Sequence, residues 1–451
     1  MEKVRVIMVA HNQIDLVKQG LEILKMYSQI DDEDVIVVDN ASEDGLSDWL
    51  DVSRKDCLIS EHQMMGFAAI INAAIHEFKI DSDILVMTPS YIMLPNAIKE
   101  MQKVLYSETM VGAVSPSVIG SGSEHGKDYM SAVDYVNFLA NDPTSRVRDK
   151  WQMGLNAGAI MIKGSMLKCL GAFDERLLSP KNTVTDYLFR GILNEFKFLE
   201  CGNAYLYSVG NDWVAWSDSV NTEVDRSVLK EKWHMNYFNT NANWNLIELM
   251  NHQVNDQFHV LEIGCDCGAN LYGGVKNCFP NAQLFGVEIN PYAAEIASHL
   301  FDVRVGNIEE KNLDFGDIRF DYIMFGDVLE HLHDPAGAIC YCKRWLKKDG
   351  RILASIPNLM HYSVMKELIN GNFSYSDCGL LDKTHIHFFT YNEMVKMFLS
   401  EGYEIETVNA LSPSVSSEPD TDFIRKLVEL SDGAEEFMFR TFQYLIVAKR
   451  P

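Results

Sequence analysis

The sequence predicts an α/β protein made of two α/β domains in series. Three observations carry that prediction. Short continuous apolar runs recur, as strands covered on both faces require. Stretches with helical spacing separate several of them, and strand–helix alternation means a parallel sheet. The alternation then starts afresh near Val260, after a segment rich in tryptophan and charge.

In chain order, Val4 to Val9 is an apolar run, and Ile14, Val17, Leu21 and Leu24 follow at helical spacing. DVIVVDNASEDG holds a second buried strand ending at Asp39, and DILVM (83–87), VGAVSP (111–116) and AGAIMI (157–162) are further strand candidates. Residues 206–255 carry Trp213, Trp216, Trp233 and Trp244 and the charged run EVDRSVLKEKW. Without Gly, Pro or Ser enrichment this segment reads as a helical connector packed on both halves, not as a flexible linker. VLEIGCDCG, LFGVEINP, DVRVGN, FDYIMFGD and GRILASIPN then each give a strand ending in a polar or glycine-rich turn. The expected domains are 1–205 and 256–451, joined by 206–255. Ligands of such sheets bind at the carboxyl ends of the strands.

Composition narrows the function. A chain of 451 residues is too long for one ordinary domain. Its net charge of −25 argues against nucleic acid and anionic lipid surfaces, which would repel it. Nine scattered cysteines, an odd number, read as reduced thiols of a cytosolic protein. The start, MEKVRVIMVAHNQ, has too short an apolar run for a signal peptide, and no run of 18 apolar residues exists to span a membrane. The expected location is cytoplasmic.

In the carboxyl half, Glu262 to Gly268 has the form E-x-G-x-x-x-G after a strand, and glycines there let a ligand approach the backbone. Glu288 ends the next strand about 20 residues on, where a carboxylate suits a ribose diol. An exposed glutamate beside a structural turn is the plainer alternative. Over about 235–450 this half resembles the class I S-adenosylmethionine-dependent methyltransferases. NFSYSDCGLLDKTHIHFFT is similar to the G-x-L-D-x-T-H-x-x-F-F-T signature of methyltransferases found with surface-glycan glycosyltransferases, and EKWHMNYFNTNANWNLIELM resembles their lead-in. The resemblance implies that Glu262, Gly264 and Gly268 line the methionine end, Glu288 holds the ribose, Asn307 faces the adenine and Asp327 sits near the methyl group. It departs at Asp266, where the family usually has glycine. Aspartate tolerates a left-handed backbone better than most residues, and its carboxylate could meet the ligand's ammonium or crowd it.

Methyl transfer to oxygen requires that the hydroxyl lose its proton. His331, just after the strand that carries Asp327, and His385, the signature histidine, are the candidate bases; His333 and His387 read as structural. The two H-x-H pairs lack a cysteine or carboxylate spacing that would complete a metal site, and Cys265-x-Cys267 reads as loop packing.

The amino half, over about 1–205, resembles family 2 glycosyltransferases of the GT-A fold in VVDNASEDG, MMGFAAIINAAI and GLNAGAIMIKGSMLKCLGAFDE. The resemblance implies that Asp39 holds the base of a sugar nucleotide; a hydroxyl-rich loop is the alternative. Where the family keeps a metal-binding carboxylate after its strand, this chain has Thr88, Pro89 and Ser90. Asp81 and Asp83 form a literal Asp-x-Asp. They lie about 13 Å away at the amino end of the strand, the wrong edge for a ligand, and read as a solvated turn. Where the family keeps an acidic pair, the chain has Thr183 and Val184, and Met64 replaces an expected asparagine two residues before Gly66. Asp186 and Arg190 keep the family's spacing, which leaves Asp186 or Asp174 as the remaining candidate base.

The resemblances together imply a methyltransferase that uses S-adenosylmethionine on a sugar hydroxyl in surface-glycan assembly (O-antigen, capsule or flagellar glycan). It is joined to a degenerate glycosyltransferase-like domain without a metal. The implied partners are a glycan and, in the amino domain, a nucleotide sugar. A true bifunctional enzyme and a glycan-binding scaffold with a weakened methyltransferase are the alternatives.

Overall fold

The computed structural model describes residues 3–28, 30–53, 57–60, 64–121, 123–141, 147–209, 222–235, 239–412 and 418–451. Trp213 and Trp216 of the expected connector lie outside them. The chain forms two compact units, Met1–Asn241 and Ala242–Pro451. The boundary falls inside the expected connector: helix Thr222–Trp233 belongs to the first unit and the short helix Trp244–Ile247 to the second.

The first unit holds β1 (Val4–Ala10), β2 (Val35–Asn40), β3 (Cys57–Ser60), β4 (Asp83–Met87), β5 (Tyr91–Met93), β6 (Val111–Gly120), β7 (Lys150–Trp151), β8 (Ala159–Ile162) and β9 (Lys197–Ser208). They make one sheet in the order β3-β2-β1-β4-β8-β6-β9-β5, with β7 also on β9. The strands β1, β2 and β4 are buried along almost their whole length, the environment their unbroken apolar runs demand. The sheet is mixed, which corrects the expectation of a parallel one. The strand β8 runs antiparallel to both β4 and β6, and β5 and β7 run antiparallel to β9. An apolar run carries no sign of strand direction, so only the tertiary pairing set this. The strand β9 was not anticipated, because polar residues and a glycine interrupt KFLECGNAYLYS.

The second unit holds β10 (His259–Ile263), β11 (Gln283–Glu288), β12 (Asp302–Val305), β13 (Phe320–Gly326), β14 (Leu346–Pro357), β15 (Glu404–Leu411) and β16 (Gln443–Lys449). Their order is β12-β11-β10-β13-β14-β16-β15. The first five are parallel, and β16 inserts antiparallel between β14 and β15. The five expected strands are these parallel ones; the β15–β16 pair was not read from the sequence. The order turns back between β10 and β13. Chain leaving those two strands diverges to opposite sides, and the crevice this opens at their carboxyl ends is where ligands of open α/β sheets bind.

Candidate functional site

The residues singled out in the carboxyl half converge on that crevice. The chain leaves β10 through Gly264, whose φ is +72°; a side chain there would meet Val328 at 2.7 Å. Asp266 follows at φ +48°, the left-handed backbone that its replacement of glycine requires. Gly268, at φ +101°, would carry a Cβ 2.6 Å from the Phe301 ring. Beyond it, residues Ala269–Val275 wind as a π-helix, a form common at functional sites.

Three carboxylates face this loop. Glu262 is almost fully buried; Asn270 Nδ2 donates to its Oε1 at 2.6 Å, while Oε2 is buried without a hydrogen-bond partner. Burial pushes its carboxyl up to about 8, against the bond from Asn270, with Asp266 and Glu288 adding to the rise. Burial first, and Glu288 second, raise Asp266 to about 6. Glu288 ends β11 and accepts the backbone N–H groups of Asp266 and Asn290, each at 2.8 Å. Asn307 caps the turn after β12, accepting from Glu309 N–H at 3.0 Å. Asn270 and Asn243 were not anticipated: Asn243 N–H donates to Asn270 Oδ1 at 2.7 Å, tying the short helix Trp244–Ile247 to the carboxylate that Asn270 orients.

Asp327, at the end of β13, has φ +56°. Ser355 Oγ lies 3.1 Å from its Oδ1, and Gln443 Nε2 donates to the same oxygen. Burial raises its carboxyl, and those two bonds oppose the rise. The loop beyond it carries Glu330 and His331. His331 Nδ1 lies 3.1 Å from the Thr384 carbonyl, and its ring meets that of His385 edge-on at 4.8 Å. His385 is buried, with Nδ1 3.3 Å from the Leu380 carbonyl and Nε2 3.9 Å from Glu330 Oε1. Burial and the neighbouring His331 pull His385 below its ordinary value. His387 Nε2 reaches the His333 carbonyl at 3.2 Å, a bond that ties two loops together. The sequence reading missed Glu330. Its neighbour His331 was the signal, but the fold had to bring His385 back from 54 residues away before a carboxylate with two imidazoles was visible. Cys265 and Cys267 are buried in the glycine loop.

In the first unit, the singled-out residues are engaged by the chain itself. Asp39, the last residue but one of β2, is fully buried; its Oδ1 accepts Ser42 N–H at 3.0 Å, and its Oδ2 accepts the Ser47 hydroxyl. Ser90 Oγ accepts from Gln13 Nε2 at 2.7 Å. Asp186 is fully buried: Trp233 Nε1 donates to it at 2.8 Å, Lys232 Nζ lies at 2.7 Å, and Arg190 Nε sits 3.3 Å from its second oxygen. Arg176 first, then Lys232, hold Asp174 well below the usual carboxylate range. Val184 is buried, and Thr183 Oγ1 donates to the Leu177 carbonyl. The Asp-x-Asp departs from the expected solvated turn. Asp81 is exposed, but Asp83 is the fully buried first residue of β4. It accepts Gly164 N–H and the Tyr106 hydroxyl, each at 2.8 Å, so it pins a helix start to the sheet and is not a solvated turn.

The groups around the glycine loop fit S-adenosylmethionine. The ligand carries two positive groups, and the crevice offers three carboxylates, one with a buried oxygen that has no partner. Glu262 and Asp266 would face its charged end, and Glu288 its ribose. When bound, S-adenosylmethionine supplies a methyl group already activated on a sulfonium.

Residues 237–408 match the family model described as "Methyltransferase domain". Ubiquinone biosynthesis O-methyltransferase of Alkalilimnicola ehrlichii is 26% identical over 121 residues, 25% of this chain and 47% of that protein. The chain thus spans about half the length of this relative. Among solved structures, a SAM-dependent methyltransferase of Thermotoga maritima is 19% identical, with a TM-score of 0.32 over 46% of this chain and 87% of its own. Magnesium protoporphyrin IX methyltransferase from Synechocystis, solved with S-adenosylhomocysteine, is 12% identical, with a TM-score of 0.29 over 43% and 75%. Residues 237–408 thus carry a methyltransferase domain, for which S-adenosylmethionine is the cofactor.

Proposed function

We propose that the chain methylates a sugar hydroxyl during assembly of a bacterial surface glycan in the cytoplasm, and that its amino-terminal unit recognises the glycan without transferring sugar. The observation that carries the reading is the pair of clusters flanking the β10–β13 crevice. The acidic glycine loop lies on one side, for the donor, and Glu330, His331 and His385 lie on the other, for the acceptor. Asp327 stands between them in the chain, its carboxyl oriented by Ser355 and Gln443. The acceptor hydroxyl loses its proton where Glu330, His331 and His385 gather. Positioning of the two reactants supplies much of the remaining rate.

The choice of a sugar rests on the resemblance of NFSYSDCGLLDKTHIHFFT to methyltransferases of glycan assembly and on the glycosyltransferase-like amino half. The loss of transfer there is supported by Asp186, whose carboxylate is closed off by Lys232, Trp233 and Arg190, and by Val184 and Ser90 at places where the family keeps acids.

Incubation with labelled S-adenosylmethionine and a panel of sugar nucleotides and lipid-linked glycans tests the first claim; label should enter a glycan in alkali-stable ether linkage. Label found only in amines or in phenolic acceptors would overturn the sugar-hydroxyl reading. Manganese and the same sugar nucleotides test the second. Robust sugar transfer would make the chain bifunctional.

A further inference from the structure

We propose that Glu330, His331 and His385 bind one divalent first-row transition-metal cation, whose open positions take oxygen atoms of the methyl acceptor. The role of the acceptor rests on the function proposed above; the metal site itself rests on geometry. Among the described residues, these three form the one group of ligand-bearing side chains found within reach of a single ion, their ligating atoms all lying within 4.8 Å of one another. Closing on an ion at bonds of about 2.0–2.2 Å would draw them in by roughly 1 Å.

Two further observations point the same way. Both oxygens of Glu330 are buried without a hydrogen-bond partner, in a side chain only 1% exposed. A carboxylate in that state is costly unless a cation meets it. Each imidazole also has its Nδ1 against a backbone carbonyl, Thr384 for His331 and Leu380 for His385. Those contacts assign the proton to Nδ1 and leave Nε2 as a lone pair, the outer support typical of metal-ligating histidines.

The plain alternative is a hydrogen-bonded Glu330–His385 pair. At 3.9 Å it is too long for a hydrogen bond, and it would leave the second carboxylate oxygen and His331 unused. Two imidazoles with one carboxylate favour manganese, iron, cobalt or zinc over calcium and magnesium, which prefer oxygen ligands. Three protein ligands leave positions open, as in catalytic metal sites.

A hydroxyl oxygen bound there becomes more acidic. Its proton passes to solvent water and its electron pair forms the bond to the methyl carbon. The pair of the broken carbon–sulfur bond stays on sulfur, so one proton is released per methyl transferred. In this arrangement the histidines are ligands, and the cation makes the alkoxide accessible.

Cobalt(II) is the probe, because its visible absorption reports coordination independently of turnover. Tag-free, chelator-treated full-length protein should take up one Co²⁺ per chain. Glu330→Gln, His331→Ala and His385→Ala should each weaken uptake by about tenfold or more, with S-adenosylmethionine affinity altered by less than about threefold. His331 is exposed, so His331→Ala remains decisive where the buried variants fail to fold. No saturable uptake by the wild type, or uptake by His331→Ala as tight as the wild type's, overturns the site. Titration of the same samples with S-adenosylmethionine separates the two readings. Protein that binds it but no Co²⁺ loses only the metal, and protein that binds neither loses the proposed function as well.

Discussion

Asp186 in the first unit and Glu262 in the second are both fully buried carboxylates at positions where a resemblance expects chemistry, yet their surroundings are opposite. Asp186 has Lys232, Trp233 and Arg190 within 3.3 Å, all supplied by the chain; its Oδ2 also lacks a hydrogen bond, but the Arg190 cation sits 3.3 Å from it. Glu262 has one bond from Asn270, an oxygen with no partner, and two acidic neighbours. Burial of a charge is tolerated when it is paired and costly when it is not. A site closed by its own cations is built for stability, and one left open with like charges gathered around it is built for a cationic ligand. Glu330, in the loop after β13, repeats the open pattern.

The largest expected effect breaks the closed site. Asp186→Ala removes the partner of Lys232 and Trp233 and should cost about 3–5 kcal/mol of folding stability. Denaturant unfolding followed by tryptophan fluorescence measures it, and affinity for S-adenosylmethionine should stay unchanged. A loss of that affinity would mean that the two carboxylates are not separate in role.

Next comes the open site. Glu288→Ala removes the acceptor proposed for the ribose and the anchor of the Asp266 and Asn290 N–H groups. Losing hydrogen bonds to a charged group at about 1.5–3 kcal/mol each should weaken S-adenosylmethionine binding by about tenfold or more in calorimetry. Unchanged affinity would remove the ribose assignment.

A third effect uses pH. Glu262 at about 8 and Asp266 at about 6 stand above their unfolded values, so the ligand-free fold holds protons that the unfolded chain has released. Their contribution to stability is therefore complete below about pH 4 and is lost as pH rises through about 6 and then about 8. A positive ligand prefers the ionised forms, so its affinity should rise over that same window, by up to about tenfold per pH unit for each proton released. Calorimetry in buffers of different ionisation enthalpy counts the protons; no release at pH 6 would mean that the two acids do not face the ligand's charge.

The smallest effect concerns the Asp-x-Asp. Exposed Asp81→Asn should move stability by less than about 0.5 kcal/mol. A larger shift would show that Asp81 shares the structural role seen for Asp83.

Much of this was legible in advance, for local reasons. The five parallel strands of the second unit followed from apolar runs ending in polar turns, and the crevice residues followed from glycines and acids placed just after them. The positive φ of Gly264, Asp266 and Gly268 is a local backbone demand that residue type can announce. Strand direction, the closing of Asp186, the burial of Asp83 and the meeting of Glu330 with His385 were not legible. Each depends on contacts between segments far apart in the chain, whose approach only the packed sheet and its helices decide. The sequence by itself determined which strands end in chemistry-bearing residues. The tertiary structure decided which of those residues the chain neutralises and which it leaves open, because desolvation and pairing are properties of neighbours in space and not of neighbours in sequence.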